Sequence, residues 1–264
     1  MTDKRDYAGP FLRNGRTLIL AYDQGLEHGP SADFNDRNVD PQFIVDTANK
    51  GGFTALALQK GTAERYYDGK TPLILKLNGK SAIPKGEPIS RQHCSVKYAE
   101  KLGARGVGYT IFLGSGLESE MVREWGMIQE EAHERGMAAV LWVYPRGAAV
   151  PPDTQPDIVA YAARAGLELG ADIVKIKYSG DAKSFSWAVK AAGKAKVVMS
   201  GGPKTPTDDG FLSQVRGTME AGGAGVAVGR NVWQHPEPLK MADQLKKIIF
   251  EGKTVPSAVA TVTR

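Results

Sequence analysis

Short apolar runs recur along the whole chain, separated by segments with helical spacing. Eight runs can be distinguished: Leu18–Asp23, Phe53–Gln59, Leu73–Asn78, Gly106–Thr110, Ala138–Val143, Ile173–Tyr178, Val197–Ser200 and Gly225–Gly229. Runs of this length between helical segments are typical of strands that are buried on both faces of a parallel sheet. Strands that alternate with helices over 264 residues predict an α/β fold of the (β/α)8 barrel type. A doubly wound sheet is the alternative, because the sequence does not provide the strand order.

The segments between the runs support this alternation. The predicted helices are Pro41–Asn49, Val96–Leu102, Ser119–Arg135, Pro156–Leu169, Ser184–Ala192, Asp209–Ala221 and Pro238–Phe250. Glycines such as Gly103, Gly136 and Gly170 follow these segments, as expected at helix C-termini. The link Asp68–Pro72 is too short for a helix, which predicts one degenerate βα unit. The polar stretch Asn78–Cys94 is expected to form a loop at the barrel rim, and no composition shift divides residues 1–264, so we expect one domain.

Composition narrows the range of functions. The net charge of +5 comes without a long basic run, which argues against nucleic-acid binding and favours anionic small molecules. The single cysteine, Cys94, excludes a disulfide framework, and the four scattered histidines show no metal-ligand spacing. The charged segment Met1–Arg5 lacks the apolar core of a signal sequence, and no stretch has the length of a membrane span. We therefore expect a cytoplasmic protein that binds no membrane and no metal.

Two lysines interrupt the sixth apolar run. Side chains alternate along a strand, so Lys175 and Lys177 point to one face of it. Burial and mutual repulsion both favour the neutral amine, which is the nucleophilic form of lysine. The alternative is a pair of lysines whose ammonium groups reach solvent at a strand end.

Other reactive side chains are predicted at the carboxyl ends of the strands, where barrels of this type place their active sites. Asp23 ends the first run and can act as an acid or base, although it can equally cap a turn. Trp142, Tyr144 and Arg146 share one face of the fifth run, where core packing is the alternative for the aromatic pair. A tyrosine beside a lysine can transfer protons, and an arginine can bind phosphate.

Glycines follow the seventh and eighth runs. Glycine lets backbone N–H groups approach an anion closely, and the last two strands of such barrels frequently carry a phosphate site. Ordinary turn glycines are the alternative. The predicted phosphate-binding residues are Ser200, Gly201, Gly202, Gly229 and Arg230.

These residues lie in stretches that resemble the archaeal-type class I fructose-bisphosphate aldolases, the DhnA-like family. The stretches cover nearly the whole chain in order: Leu18–Pro30, Pro72–Lys80, Val107–Gly116, Trp142–Gly147, Asp172–Gly180, Ser186–Val189, Met199–Lys204 and Val226–Trp233. The resemblance implies a TIM barrel that cleaves a phosphorylated sugar, needs no metal or other cofactor, and forms a homo-oligomer, often a decamer.

The resemblance also implies a role for each site residue. Lys175 corresponds to the Schiff-base lysine, Tyr144 to the residue that transfers protons during C–C cleavage, and Asp23 to the acid beside the Schiff base. Trp142 corresponds to the aromatic wall of the pocket. Residues 200–202, 229 and 230 correspond to the site for the phosphate on the dihydroxyacetone half.

The remaining charged residues have less definite roles. We expect Lys177 to keep the local field positive and so favour the amine form of Lys175. Arg146 and Lys204 are candidates for the second phosphate. The rival activities are an aminodeoxyheptulosonate-type synthase and a phospho-dione thiolase, which would keep the same lysine. A non-catalytic sugar-phosphate sensor is the alternative from another functional class.

Overall fold

A computed structural model describes residues 6–29 and 33–253, and in it each of the eight apolar runs contributes a strand to a closed barrel. Ten strands are present in this part of the chain: β1 (Thr17–Tyr22), β2 (Ala55–Gln59), β3 (Leu73–Lys76), β4 (Asn78–Gly79), β5 (Arg91–Gln92), β6 (Gly106–Ile111), β7 (Ala138–Val143), β8 (Ile173–Ile176), β9 (Lys196–Ser200) and β10 (Gly225–Val228).

All strand pairs of the barrel are parallel, in the order β1-β2-β3-β6-β7-β8-β9-β10. The sheet closes because β1 pairs with β10 as well as with β2, starting at Thr17 opposite Gly225. The prediction of a (β/α)8 barrel is therefore confirmed, and the doubly wound alternative is wrong.

Helices alternate with the barrel strands. Besides a 3-10 turn at Gly9–Phe11, the described residues form α1 (Gly25–His28), α2 (Pro41–Gly51), α3 (Lys60–Tyr66), α4 (Val96–Lys101), α5 (Glu118–Glu134), α6 (Pro156–Glu168), α7 (Ala182–Ala191), α8 (Asp208–Glu220), α9 (Arg230–Trp233) and α10 (Pro238–Glu251). Among the described residues, no helix has the length and apolar character needed to span a bilayer.

Two local expectations need correction. The link Asp68–Pro72 contains no helix, as expected. The βα unit between β2 and β3 nevertheless has a helix, because α3 begins immediately after β2. The stretch Asn78–Cys94 is not entirely a loop, since β4 and β5 pair within it as an antiparallel ribbon. The Asn78 side chain attaches this ribbon to the barrel: its amide donates to Thr110 O at 2.8 Å, and its carbonyl oxygen accepts from Thr110 N at 2.8 Å.

Three sequence-based expectations extend outside the described residues. These are the absence of a signal sequence in Met1–Arg5, the end of the first matching stretch at Pro30, and the outer limits of the predicted domain at 1–5 and 254–264.

The inside of the barrel is lined by alanines and β-branched aliphatic side chains. On β1 and β2 the inward positions include Ala21, Ala55 and Ala57, whereas the alternate positions, such as Leu18 and Leu20, pack against the outer helices. Both faces of the strands are thus buried, which explains their nearly continuous apolar sequence.

Two aromatic side chains fill the space that the alanines leave. Phe11, from the 3-10 turn, and Trp142, from β7, belong to the same interior cluster. The strand β6 makes room for them with glycine: a Cβ at Gly106 would lie 2.7 Å from Phe11 Cε2, and one at Gly108 would lie 2.5 Å from Trp142 Cζ3. A segment that precedes β1 therefore completes the barrel core.

Removing the Phe11 ring should destabilise the whole barrel. Phe11 is completely buried, so Phe11→Ala leaves a cavity and should lower the free energy of unfolding by about 3–5 kcal/mol in denaturant titrations. Ile83→Ala is the control, because Ile83 is 83% exposed and its truncation should change that free energy by less than about 0.5 kcal/mol. Equal effects of the two substitutions would show that Phe11 does not support the core.

Candidate active site

A pocket opens at the carboxyl ends of the barrel strands, and eleven of the twelve residues predicted for the site line it, the exception being Lys204. They come from β1, β7, β8, β9 and β10 and from the residues that follow these strands. Parallel strands that close into a barrel bring their carboxyl ends to one rim, which is why residues far apart in the sequence meet here.

Lys175 lies at the third position of β8 and is only 5% exposed. The backbone of β8 pairs with β7 on one side and β9 on the other, and Lys175 lies opposite Trp142 and Val198 in these pairs. Its Nζ lies 5.0 Å from the centroid of the Trp142 ring. Burial lowers the pKa of Lys175, although the carboxylates of Asp23 and Glu27 act in the opposite direction. Burial therefore favours the free amine of Lys175, which is the nucleophilic form.

Lys177 follows β8 and differs from Lys175 in its surroundings. Its Nζ lies 2.5 Å from Asp153 Oδ2, and its side chain is partly exposed. The Lys177 ammonium is thus paired with Asp153, and the expectation that Lys177 tunes Lys175 by repulsion stays a prediction.

Tyr144 follows β7 and reaches the same pocket. Its hydroxyl lies 3.2 Å from Ser200 Oγ, so the two predicted residues can share a proton. Burial raises the pKa of Tyr144 above its ordinary value, against the effect of the Ser200 hydrogen bond. Tyr144 therefore carries its proton near neutral pH and can serve as a proton donor.

The loops after β9 and β10 also line the pocket. Gly202 has a φ of 63°, a conformation that favours glycine. The Gly201 N–H is already used, since it donates to Ala227 O at 3.1 Å. Arg230 lines the pocket together with these glycines, and its Nη1 lies 3.2 Å from Asp33 Oδ2. This combination suits an anion.

A second cationic group also lines the pocket. Arg146 Nε is 3.8 Å from Asp153 Oδ2, the carboxylate oxygen that also contacts Lys177, and the guanidinium carbon is 5.3 Å from the Tyr144 ring centroid. Lys204 does not join this group, because its exposed side chain donates to Gln234 O at 3.3 Å instead of lining the pocket. The expectation that Lys204 binds a phosphate is not supported by this placement.

Sequence reasoning missed two charged residues of the site. Lys76, the last residue of β3, is completely buried, and its Nζ lies 3.6 Å from both Asp23 Oδ2 and Glu27 Oε1. The signal for Lys76 was the same as that for Lys175, a lysine inside an apolar run. Glu27 belongs to the four-residue helix α1, and nothing in its local sequence distinguishes it from a surface glutamate.

The described residues show no group of three or more His, Cys, Asp or Glu side chains arranged to hold a metal ion. The histidines make other contacts: His133 pairs with Asp172, and His235 pairs with Asp208.

Comparison with known proteins gives the family. The model of the DeoC/LacD family aldolases matches residues 17–235, which include every barrel strand. The chain belongs to this aldolase family. It is 55% identical to fructose-bisphosphate aldolase class 1 of Thermoproteus tenax over 245 residues, with 92% of this chain and 93% of the relative covered. It is 45% identical to the Halobacterium salinarum protein of the same name, with 96% and 97% covered.

Solved structures agree with this membership. A crystal structure of an archaeal fructose 1,6-bisphosphate aldolase superposes with a TM-score of 0.91 at 53% identity and covers 94% of this chain and 98% of its own. A second archaeal aldolase structure, with its catalytic lysine covalently bound to the carbinolamine intermediate of the substrate, gives a TM-score of 0.90, also at 53% identity, and covers 92% and 98%. The resemblance to archaeal-type class I aldolases inferred from the sequence is confirmed.

The position of Trp142 in this aldolase depends on a glycine. Gly108→Ala places a Cβ 2.5 Å from the Trp142 ring, so the ring must move and the variant should lose about 1–3 kcal/mol of unfolding free energy. Denaturant titration and a crystal structure of the variant measure both effects. Gly61→Ala is the control, because no atom lies within 4 Å of the added Cβ. A Gly108→Ala protein of unchanged stability, with Trp142 in place, would contradict the packing argument.

Proposed function

We propose that this protein is a class I, Schiff-base fructose-1,6-bisphosphate aldolase that reversibly forms dihydroxyacetone phosphate and glyceraldehyde 3-phosphate. The observation that carries the proposal is Lys175, a buried amine of lowered pKa at the base of a pocket with cations on two sides. The relatives at 55% and 45% identity bear the name fructose-bisphosphate aldolase class 1, which supports the same activity.

The reaction begins at Lys175. The neutral amine attacks the C2 carbonyl carbon of the ketose to form a carbinolamine, which loses water to form an iminium ion. The positive iminium nitrogen accepts the electron pair of the C3–C4 bond when that bond breaks, giving an enamine and releasing the aldehyde. A proton then returns to the enamine carbon, and water releases the second product from the lysine.

Tyr144 transfers the protons of this cycle in the proposed mechanism. The C4 hydroxyl must lose a proton as the aldehyde forms, and the enamine must gain one. Tyr144 is protonated in the resting site, so it accepts the C4 proton only as its own proton passes on, with Ser200 Oγ at 3.2 Å as a relay. The Asp23 carboxylate would hold that proton until it returns to the enamine carbon. Asp23 provides a carboxylate in the same pocket that can share this acid–base work.

The two phosphates are assigned to the two cationic groups that line the pocket. Ser200, Gly202, Gly229 and Arg230 would hold the phosphate of the dihydroxyacetone half. Gly201 would contribute only space beside it, because its N–H donates to Ala227 O. Arg146 and Lys177, joined through Asp153, would bind the other phosphate, and Trp142 would form the wall between them. Binding at both ends of the substrate fixes the ketone carbon beside Lys175, which lowers the entropy loss of the chemical step.

The setting of the reaction is also proposed. Exposed apolar side chains on three successive helices, Met127, Tyr161 and Trp187, support a homo-oligomer, which would be a decamer if the family resemblance extends to assembly. We propose that residues 1–264 form one domain without a cofactor, and that it works in the cytoplasm in glycolysis or gluconeogenesis. The closed barrel and the charged, cysteine-poor composition support these assignments.

Borohydride reduction in the presence of dihydroxyacetone phosphate should attach the substrate to Lys175. Peptide mass spectrometry should find the adduct there in the wild-type protein and find none in Lys175→Met. Lys177→Met is the matched control: it should still form the adduct on Lys175, with weaker substrate binding. An adduct on Lys177, or undiminished cleavage of fructose 1,6-bisphosphate by Lys175→Met, would contradict the assignment of the nucleophile. A wild-type protein that forms no adduct would support the sugar-phosphate sensor.

Removing the Tyr144 hydroxyl should separate adduct formation from cleavage. Tyr144→Phe leaves Lys175 and the phosphate sites in place, so borohydride trapping should persist. Release of triose phosphate should fall by about 10²–10⁴-fold, because a positioned proton-transfer group is lost. Rapid-quench measurement of adduct formation and of triose phosphate release tests this. The same two rates in Ser200→Ala show how much the Ser200 hydroxyl contributes to cleavage. Unchanged cleavage by Tyr144→Phe would exclude the proposed role.

A further inference from the structure

Lys76 is a buried lysine for which the mechanism above has no use. It ends β3, its side chain is 1% exposed, and it is not among the residues that line the pocket. Its Nζ makes no hydrogen bond within the described part of the chain. An ammonium group in such a place is strongly unfavourable unless opposite charge compensates it.

The compensating charges are two carboxylates of the active site. Asp23 Oδ2 and Glu27 Oε1 each lie 3.6 Å from Lys76 Nζ. Glu27 Oε1 is itself buried and makes no hydrogen bond to any described residue. The Lys76 ammonium is thus shared between two carboxylates and is held by charge and packing instead of by directed hydrogen bonds.

The same two carboxylates act on the nucleophile. The carboxylates of Asp23 and Glu27 both favour the charged form of Lys175, and burial favours the neutral form more strongly. Lys76 Nζ and Lys175 Nζ lie 5.3 Å and 5.0 Å from the centroid of one ring, that of Trp142. Two lysines and two carboxylates therefore occupy one low-dielectric region, where each charge affects the others strongly.

Counting charges shows what Lys76 contributes. With Lys175 neutral, two carboxylates and one ammonium leave a single excess negative charge. Without Lys76 the excess would be two negative charges. Both carboxylates would then favour a positive charge on Lys175, and no neighbouring ammonium would offset them. The cation at Lys76 therefore opposes protonation of Lys175.

We propose that Lys76 is a positioning residue, whose ammonium offsets the Asp23–Glu27 carboxylate pair so that Lys175 stays an uncharged nucleophile near neutral pH. Lys76 acts through these carboxylates and does not touch the substrate. The inference rests on the proposed function, in which Lys175 attacks the substrate.

Other charged groups around the two lysines do not replace Lys76. Lys177 lies against Asp153, and Arg146 approaches the same carboxylate. Burial lowers the pKa of His93, and the charge of Lys76 lowers it further. His93 is therefore neutral near pH 7 and adds no charge beside Lys76. The groups that face the pair are Asp23, Glu27, Tyr144, His93 and the Trp142 ring.

The test measures the pKa of Lys175 directly in the full-length protein. Competitive labelling with acetic anhydride over a range of pH, followed by peptide mass spectrometry, reports the free-amine fraction of Lys175 without any catalytic step. The pH profile of borohydride trapping with dihydroxyacetone phosphate is recorded in parallel. The proteins are wild type, Lys76→Met, Glu27→Gln, the double variant that combines them, and Lys196→Met, a control at the opposite end of the barrel.

Three outcomes are expected. Lys76→Met should raise the pKa of Lys175 by about 1–3 units, so that trapping near neutral pH falls by about 10–1000-fold and recovers as the pH is raised. Glu27→Gln should lower the pKa. The double variant, which restores a single excess negative charge, should return the pKa to within about half a unit of wild type, and Lys196→Met should leave it unchanged.

Two results would overturn the inference. One is a folded Lys76→Met protein whose Lys175 pKa is unchanged while trapping falls equally at every pH, since Lys76 would then only support packing. The other result applies if Lys76→Met alone does not fold. The double variant and Glu27→Gln differ only at Lys76, so an equal pKa of Lys175 in these two proteins would show that the Lys76 charge has no effect. Absence of any wild-type adduct on Lys175 would instead refute the proposed function, while the labelling pKa would still test the role of Lys76.

Discussion

Closure of the sheet between β1 and β10 is the constraint on which the rest of this molecule depends. The pair begins at Thr17 and Gly225, where a Cβ on Gly225 would overlap the Thr17 carbonyl oxygen. Closure satisfies the backbone groups of both edge strands, and it brings the carboxyl ends of all eight strands to one rim. The interior that results is narrow, and Phe11 and Trp142 fill it between small side chains.

Burial at that rim makes the chemistry possible. Lys175 is close enough to Asp23 and Glu27 to be held in its charged form, yet enclosure among apolar strands shifts it towards the free amine. The same enclosure keeps the proton on Tyr144, so nucleophile and proton donor are available at the same pH. The cations that we propose for phosphate binding are more exposed, and Asp33 and Asp153 form ion pairs with Arg230 and Lys177 there.

Much of the site could be predicted because its residues follow strands, and strand ends are visible as breaks in apolar runs. Lys175, Tyr144 and Arg230 were found in this way. Lys76 also lies within an apolar run, but a lysine near a strand end is usually solvated, so the pattern does not distinguish it from a surface lysine. Glu27 gave no signal at all, because only the folding of α1 over the barrel mouth places its carboxylate beside Lys76.

The sequence by itself determined the alternation of strands and helices, the residues at the strand ends, and the family to which the chain belongs. Hydrophobic spacing and glycine placement are local, so they can be read without coordinates. The tertiary structure alone decided which charges meet. In the folded chain Lys177 forms an ion pair with Asp153, Lys204 lies outside the pocket, and Lys76 lies between two carboxylates. Electrostatic interactions depend on distance and burial, and both are set only when the barrel closes.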